Sequence, residues 1–384
     1  MLAAIVIGWI AVLGVPGPQA AAETSALSAA VDALGVFDLN QRTVAARALR
    51  RAAPEAAVPL LERAARQHRD SYTRFRAFVL LTGFNQPSTA TLARDLLGDR
   101  DDRVRTAAYQ WFEYHRDPRV LPVLLDALPR ETSEFVRPAL TRTLAAYGDD
   151  TRVRQGLVPL VTRGEDLFRA SVIDAIGSYA GEYAVTEIAG VARLDGPLQD
   201  DAIAALGRIG GADARAVLVA LQASAPRDTQ PGISAALCLV GVDCEGREAF
   251  LKETLAFAAA TDGYRSLLRG ATQGLGLLAG AGRRSALEAL FAVAVASRDA
   301  QVQESLALAV GRVALRAPLT LLDALETRAV PGVLVSLVLD AFDMLSEDVA
   351  EEQFYVEIRR AYWAAPDQSA RRGAAEALIQ GLEF

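Results

Sequence analysis

The 384-residue sequence is short of several residue types at once. It has two histidines (His68, His115), two cysteines (Cys238, Cys244), two asparagines (Asn40, Asn85) and one lysine, Lys252. So few histidines and cysteines leave little room for a metal centre built on three or four such ligands, and they exclude zinc ribbons and disulfide frameworks. No metal and no cofactor are therefore expected. Asp and Glu number 47 against 40 Lys and Arg, a formal net charge of −7. Phosphate backbones are held by dense positive charge, so nucleic acid is not the expected partner. The basic residues are nearly all arginine, as GC-rich codon usage produces, and their number alone argues for no phosphate site. Strand-like alternation is missing throughout. There is no Walker loop and no Gly-x-Ser-x-Gly elbow. His68-Arg69-Asp70 and His115-Arg116-Asp117 match the kinase triplet but lack the Asn five residues on. No catalytic residue is assigned, and the chain is read as a non-enzyme.

Apolar residues, by contrast, make up 52% of the chain, enough for a large core. Residues 1–15 carry no charge and are almost wholly apolar; Pro16-Gly17-Pro18 breaks the run, and Ala20-Ala21-Ala22 follows. This reads as a signal peptide of residues 1–22, cleaved after Ala22, which places the mature chain in the periplasm or outside the cell. The run is shorter than the ~20 residues of a membrane span, so the mature chain is expected to hold none. No Lys or Arg precedes the run, and a membrane anchor formed by residues 1–15 is the other reading.

The remainder, 23–384, repeats. Asp102-Arg-Val-Arg105 recurs 32 residues later as Glu134-Phe-Val-Arg137 and 32 later again as Asp166-Leu-Phe-Arg169. Eight residues past each arginine position runs a column of mostly small residues: Glu113, Ala145, Gly177, Gly207, Cys238, Gly276, Gly311 and Asp343, spaced 30 to 38 apart. Within a unit the period is helical: Ala202, Ala205, Leu206 and Ile209 follow i, i+3, i+4, i+7. After Gly210-Gly211 a second helix resumes. A single helix hairpin cannot bury its apolar face, whereas stacked hairpins can. The expected fold is an all-α, right-handed solenoid of about ten antiparallel helix pairs, strongest over 100–225 and closed by a cap at about 369–384.

These motifs resemble the HEAT-repeat family, in particular bacterial repeats of the phycobilin-lyase type. The residues that carry the resemblance are Asp102, Val104 and Arg105, then Ala205-Leu-Gly207-Arg-Ile209-Gly, then Asp117-Pro-Arg119-Val-Leu-Pro122. The resemblance covers about 40–384, with a longer unit between Gly241 and Gly276. It implies the fold and says little of function. The His-Glu pairs of HEAT-type di-iron hydroxylases are absent, since neither His68 nor His115 precedes a Glu. Trp111 and Glu113 permit a glycosylase reading, which the net acidity disfavours.

Asp102, Glu134 and Asp166 stand where helices begin and are expected to cap them. Arg105, Arg137 and Arg169, one turn on, are expected to pair with the acid of their own or a neighbouring unit, forming a structural ladder. Tyr109, Trp111 and Tyr114 lie on one helix, and the register turns Trp111 towards the groove. With Arg74 and Arg142 they are the expected contacts for a protein or peptide partner, although packing is the competing reading for the rings. An oxidising compartment permits a disulfide between Cys238 and Cys244; a buried thiol at Cys238 is the alternative. The acidic stretch 346–352 is read as a solvated helix start. The expected role is a scaffold or adaptor that binds a protein on one face. The alternatives are a lyase-like or chaperone-like accessory subunit, or a structural subunit of an envelope complex.

Overall fold

The computed structural model describes residues 18–327, 332–345 and 347–384. The core of the proposed signal peptide lies outside them, while Ala20–Ala22 fall within the first helix. In chain order the helices are α1 (Pro18–Ala33), α2 (Leu39–Arg51), α3 (Pro54–Gln67), α4 (Ser71–Thr82), α5 (Ser88–Leu96), α6 (Asp102–Tyr114), α7 (Leu121–Ala127), α8 (Val136–Ala145), α9 (Thr151–Leu157), α10 (Asp166–Ser178) and α11 (Val185–Ala192). They continue as α12 (Gln199–Ile209), α13 (Gly211–Gln222), α14 (Gln230–Leu239), α15 (Cys244–Ala260), α16 (Arg265–Gly280), α17 (Arg284–Ala296), α18 (Ala300–Arg316), α19 (Pro318–Leu325), α20 (Gly332–Leu345), α21 (Asp348–Ala364) and α22 (Ala370–Gly381). Among the described residues there is no strand. The fold is an all-α solenoid.

Two helix layers run along the array. The inner layer is α4, α6, α8, α10, α12, α14, α16, α18 and α20, each packed on the next. Most of the odd-numbered helices pack outside it. The α12–α13 hairpin shows how short turns build a unit. Ala202, Ala205, Leu206 and Ile209 are buried on one face of α12. Gly210 and Gly211 then adopt φ of 75° and 80°, so the chain reverses with only Gly210 between the two helices. Six helix starts are set by aspartate caps: Asp38, Asp70, Asp101, Asp150, Asp243 and Asp299 accept backbone N–H groups of the first turn. The cap of α6 is thus Asp101, and Glu165 holds the N-cap position of α10 without a side-chain hydrogen bond, which corrects the assignment to Asp102 and Asp166; both sit one residue inside. Glu134 lies two residues before α8 and does not cap it.

The small column is a line of backbone contact. A Cβ built on Gly177 would lie 2.8 Å from the Cα of Ala205, and one on Gly207 would lie 2.7 Å from the Cα of Ala236. Gly276 meets Ala309 in the same way, and Gly311 meets Ala341. In each case the partner stands two residues before the next column position. The 38-residue spacing arises because α15 and α16 have 17 and 16 residues.

Two apolar cores follow one another. The first runs from Leu27 to Leu237 and the second from Ala235 to Phe384, so they meet on α14. There Cys238 and Cys244 are joined by a disulfide with Cα atoms 4.1 Å apart, which ties the end of α14 to the start of α15. One turn further, the buried Glu248 accepts from Lys252 at 2.7 Å, from Arg283 at 2.5 Å and from Ser285. Burial by itself would raise the Glu248 carboxyl, but these donors pull it down to about 2.

The array does not end open. Val349 of α21 belongs to the first core, and α21 packs on both α4 and α6. The last helices therefore return to the first, and the solenoid closes into a ring. The acidic stretch 346–352 is consequently no solvated helix start: Glu352 is 1% exposed and Asp348 pairs with Arg76 of α4. No single helix among the described residues is long and apolar enough to cross a membrane. Helices α18 and α19, bent by 115°, pass that test only as a pair, and their apolar faces lie in the second core.

Two outcomes are expected. Gly207→Val forces α12 and α14 apart and should destabilise the fold by about 3 kcal/mol or more, read by denaturant unfolding. Glu248 is lowered in the folded state, so its contribution is present above the ordinary glutamate pKa of about 4.3 and fades as pH falls towards 2. Glu248→Gln should thus lose on the order of 2 kcal/mol at pH 7, and the gap to the parent should shrink steadily below pH 4.

Candidate functional site

Closure brings charged side chains together at the centre of the ring. Glu113 ends α6 at the column position that is glycine in later units. It is 5% exposed and accepts from Arg142 of α8 at 2.8 Å and from the Tyr179 hydroxyl at 2.7 Å. Arg142 also reaches Asp174 of α10 at 2.7 Å, and Arg208 of α12 donates to the other oxygen of Asp174 at 2.9 Å. From the opposite side of the ring Arg316, at the end of α18, approaches Glu113 at 3.4 Å, donates to the Tyr114 hydroxyl and pairs with Glu347 at 2.5 Å. Arg142 and Arg316 thus share one carboxylate, which for Arg316 lies 203 residues away in sequence.

Partners set the ionisation of this cluster. Burial would lower the Arg142 guanidinium, but Glu113 and Asp174 outweigh it and raise it. Burial would raise Asp174, but Arg208 and Arg142 hold it well below the usual carboxylate range. Burial, with Glu113 close by, pushes the Tyr179 phenol far up; burial does the same to Tyr114 against the pull of Arg316. Asp201 of α12 is raised by burial and by the charge of Asp174. Glu113 and Asp174 are each met by two arginines, an arrangement suited to holding five helices in register. Among the described residues, no group of three or more His, Cys, Asp or Glu is placed to hold a metal.

The expected contact residues divide accordingly. Tyr109 and Trp111 are interior, at 2% and 7% exposure, which corrects the expectation that they face a groove. Trp111 occupies the register position of Ala205 and Ala236, between neighbouring inner helices. It stacks on His115 with centroids 4.4 Å apart and meets Phe112 edge-on. Tyr109 borders an outer hollow of about 440 Å³ together with Val123, Arg130 and Glu131, and burial raises its phenol to about 12. Only Tyr114 keeps an accessible ring, turned to Arg316. Arg74 is committed to Asp99 at 2.9 Å, and Arg142 to the central cluster.

The ladder is present in part. Arg105 pairs with Asp102 at 2.8 Å and with Glu131 at 3.0 Å, while Ser133 donates to Asp102 at 2.6 Å, so one unit is tied to the next. Arg169 pairs with Asp166 at 2.9 Å. The middle rung differs. The residue 26 after Arg105 is Glu131, but the residue 26 after Arg137 is Arg163, so the cross-unit acid is missing. Arg137 instead lies over the ring of Phe168, 3.7 Å from its centroid. Asp99 and Glu131, the true inter-unit acids, were legible as the 25- and 26-residue offsets from Arg74 and Arg105. Glu113 and Arg316 left no such local signal.

One surface stands apart. Phe135, Leu167 and Leu194 are 83%, 86% and 62% exposed. Phe135 immediately precedes α8 and Leu167 is the second residue of α10; the register position before α12 is the exposed Pro197, and Leu194 stands three residues earlier, just past α11. Large apolar side chains elsewhere in these units are mostly interior, so the row is an apolar rim at one end of the inner helices.

The HEAT-repeat family model matches residues 27–113 and 96–177. Residues 27–177 carry HEAT repeats. Solved structures similar to this HEAT array include the CpcE–CpcF complex of phycocyanin lyase from Nostoc sp., at 17% identity over 68% of this chain and 96% of that one, TM-score 0.41. Importin beta is similar at 18% identity over 95% of this chain and 53% of that one, TM-score 0.40. YibA from E. coli is similar at 15% identity over 56% and 81%, TM-score 0.42. No activity follows from likenesses this low. No curated protein matches the chain by sequence.

Removing Glu113 leaves Arg142 and Arg316 short of a carboxylate. Glu113→Ala should destabilise the protein by about 3 kcal/mol. The double variant Glu113→Leu/Arg142→Met should recover part of that loss, because it strands fewer charges. A double-mutant cycle in denaturant measures both.

Proposed function

We propose that this chain is an exported, non-catalytic scaffold that binds a protein partner through the apolar rim formed by Phe135, Leu167, Leu194 and Pro197. The observation that carries this reading is the rim itself: consecutive units place the exposed apolar Phe135, Leu167 and Pro197 at the same repeat position, with the exposed Leu194 three residues before the last. A partner that covers these side chains gains the burial that folding left unused. The central charges support a non-catalytic role, since they neutralise one another. Export rests on the apolar segment 1–15 and the Ala20–Ala22 site of the sequence.

The test is affinity purification from the native envelope fraction with the parent and with Phe135→Ser/Leu167→Ser. The exposed positions should tolerate both changes, leaving the thermal midpoint within about 1 kcal/mol of equivalent stability. The proposal expects a stoichiometric protein to be recovered with the parent and lost with the double variant. Equal recovery by both would place binding elsewhere.

A further inference from the structure

We infer that the meeting of the two chain ends is a latch: an ionic seam that holds the ring shut and parts as one unit when its charges are screened. The seam depends on ion pairs more than the other joints do. Inner helices elsewhere join mainly through alanine, glycine and aliphatic side chains, with the Glu113–Arg142–Asp174–Arg208 pairs added between α6 and α12. Here the amino-terminal edge presents Arg47, Arg50, Arg51 and Arg76, and the carboxy-terminal edge presents Asp348, Glu352, Glu383 and the Phe384 carbonyl. Arg50 meets both oxygens of Glu352, at 2.9 and 3.1 Å, and lies over the Tyr355 ring. Arg76 pairs with Asp348 at 2.6 Å. Arg47 pairs with Glu383, and Arg51 donates to the Phe384 carbonyl at 3.2 Å. The side-chain ion pairs all run one way, from arginines of the amino-terminal edge to carboxylates of the carboxy-terminal edge; Arg359 of α21 is an arginine on the latter, and it donates to the Arg50 carbonyl at 3.3 Å. From the carboxy-terminal edge, Val349 alone belongs to the first apolar core.

The line of parting follows from the same contacts. Phe354, Tyr355 and Phe384 cluster with Phe342 of α20, so α21 and the chain end travel with the second core. The break runs between α2, α4 and α6 on one side and α21 on the other. Opening rehydrates Arg50 and Glu352, which recovers the desolvation penalty that a buried pair carries and makes its net hold small. The more exposed pairs are individually weak and screened by salt. Opening also draws Arg316 away from Glu113 and Tyr114, which uncovers the buried Glu113. This device is independent of the partner assigned to the rim.

The experiment uses the full mature chain, whose two native cysteines are tied to each other. Spin labels on cysteines introduced at the exposed Ala48 of α2 and Ala364 of α21 report the gap across the seam by pulsed dipolar spectroscopy. At low salt the parent should give one short distance. At about 1 M salt, where screening acts within about 3 Å, a second population should appear, longer by at least one helix spacing of about 10 Å. Arg50→Glu should show that long population already at low salt, and Arg50→Glu/Glu352→Arg should restore the short one. A single short distance in the parent at every salt concentration overturns the latch, whatever the variants do. Equal long populations in the single and the swapped variants would also overturn it, since the pairing of charge would then not be what holds the seam.

Discussion

Where Gly207 lies against Ala236, no side chain separates two helix backbones. The same holds for Gly177 on Ala205 and for Gly276 on Ala309. These approaches draw the inner layer tighter than the outer one, where leucines and other bulky residues keep the helices apart. A hairpin that is narrow inside and wide outside is a wedge, and wedges stacked in series curve. Had the column been filled with valine or leucine, the units would stack straighter and the ends would not find each other.

Curvature in turn decides what the inner face can be. In an open array that face is a groove, and its side chains serve whatever docks there. Here the array bends until α18 faces α6, and the charges on either side meet one another. Glu113, Arg142, Asp174, Arg208 and Arg316 satisfy themselves across the centre. At the edge, by contrast, Phe135 and Leu167 remain uncovered.

The sequence disclosed what is local and concealed what is not. The period of about 32, the small column and the helix-turn-helix units are all written in adjacent residues, and each is found as a packed feature. Assigning caps to Asp102 and Asp166 missed by one residue, because runs such as Asp101-Asp102 offer two acids and only the first has the extended backbone of a cap. Trp111 was read as facing a groove because its position is small in other units; the small position is instead the joint between helices, and the ring fills it. The acidic run ending in Glu352 looked like a solvated helix start because its partners, Arg50 and Arg76, lie about 300 residues away. Only a reader who already knew that the array closes could have matched the two edges.

An open solenoid is indifferent to its length: duplicating or deleting a unit adds or removes one wedge and leaves the rest as it was. A closed one has to count. One unit more would carry Glu352 past Arg50, and one fewer would leave it short, so the number of repeats is fixed by the requirement that first and last coincide. Such a chain can drift in sequence within each unit, but the usual route by which repeat families grow, unequal exchange between neighbouring copies, is shut to it.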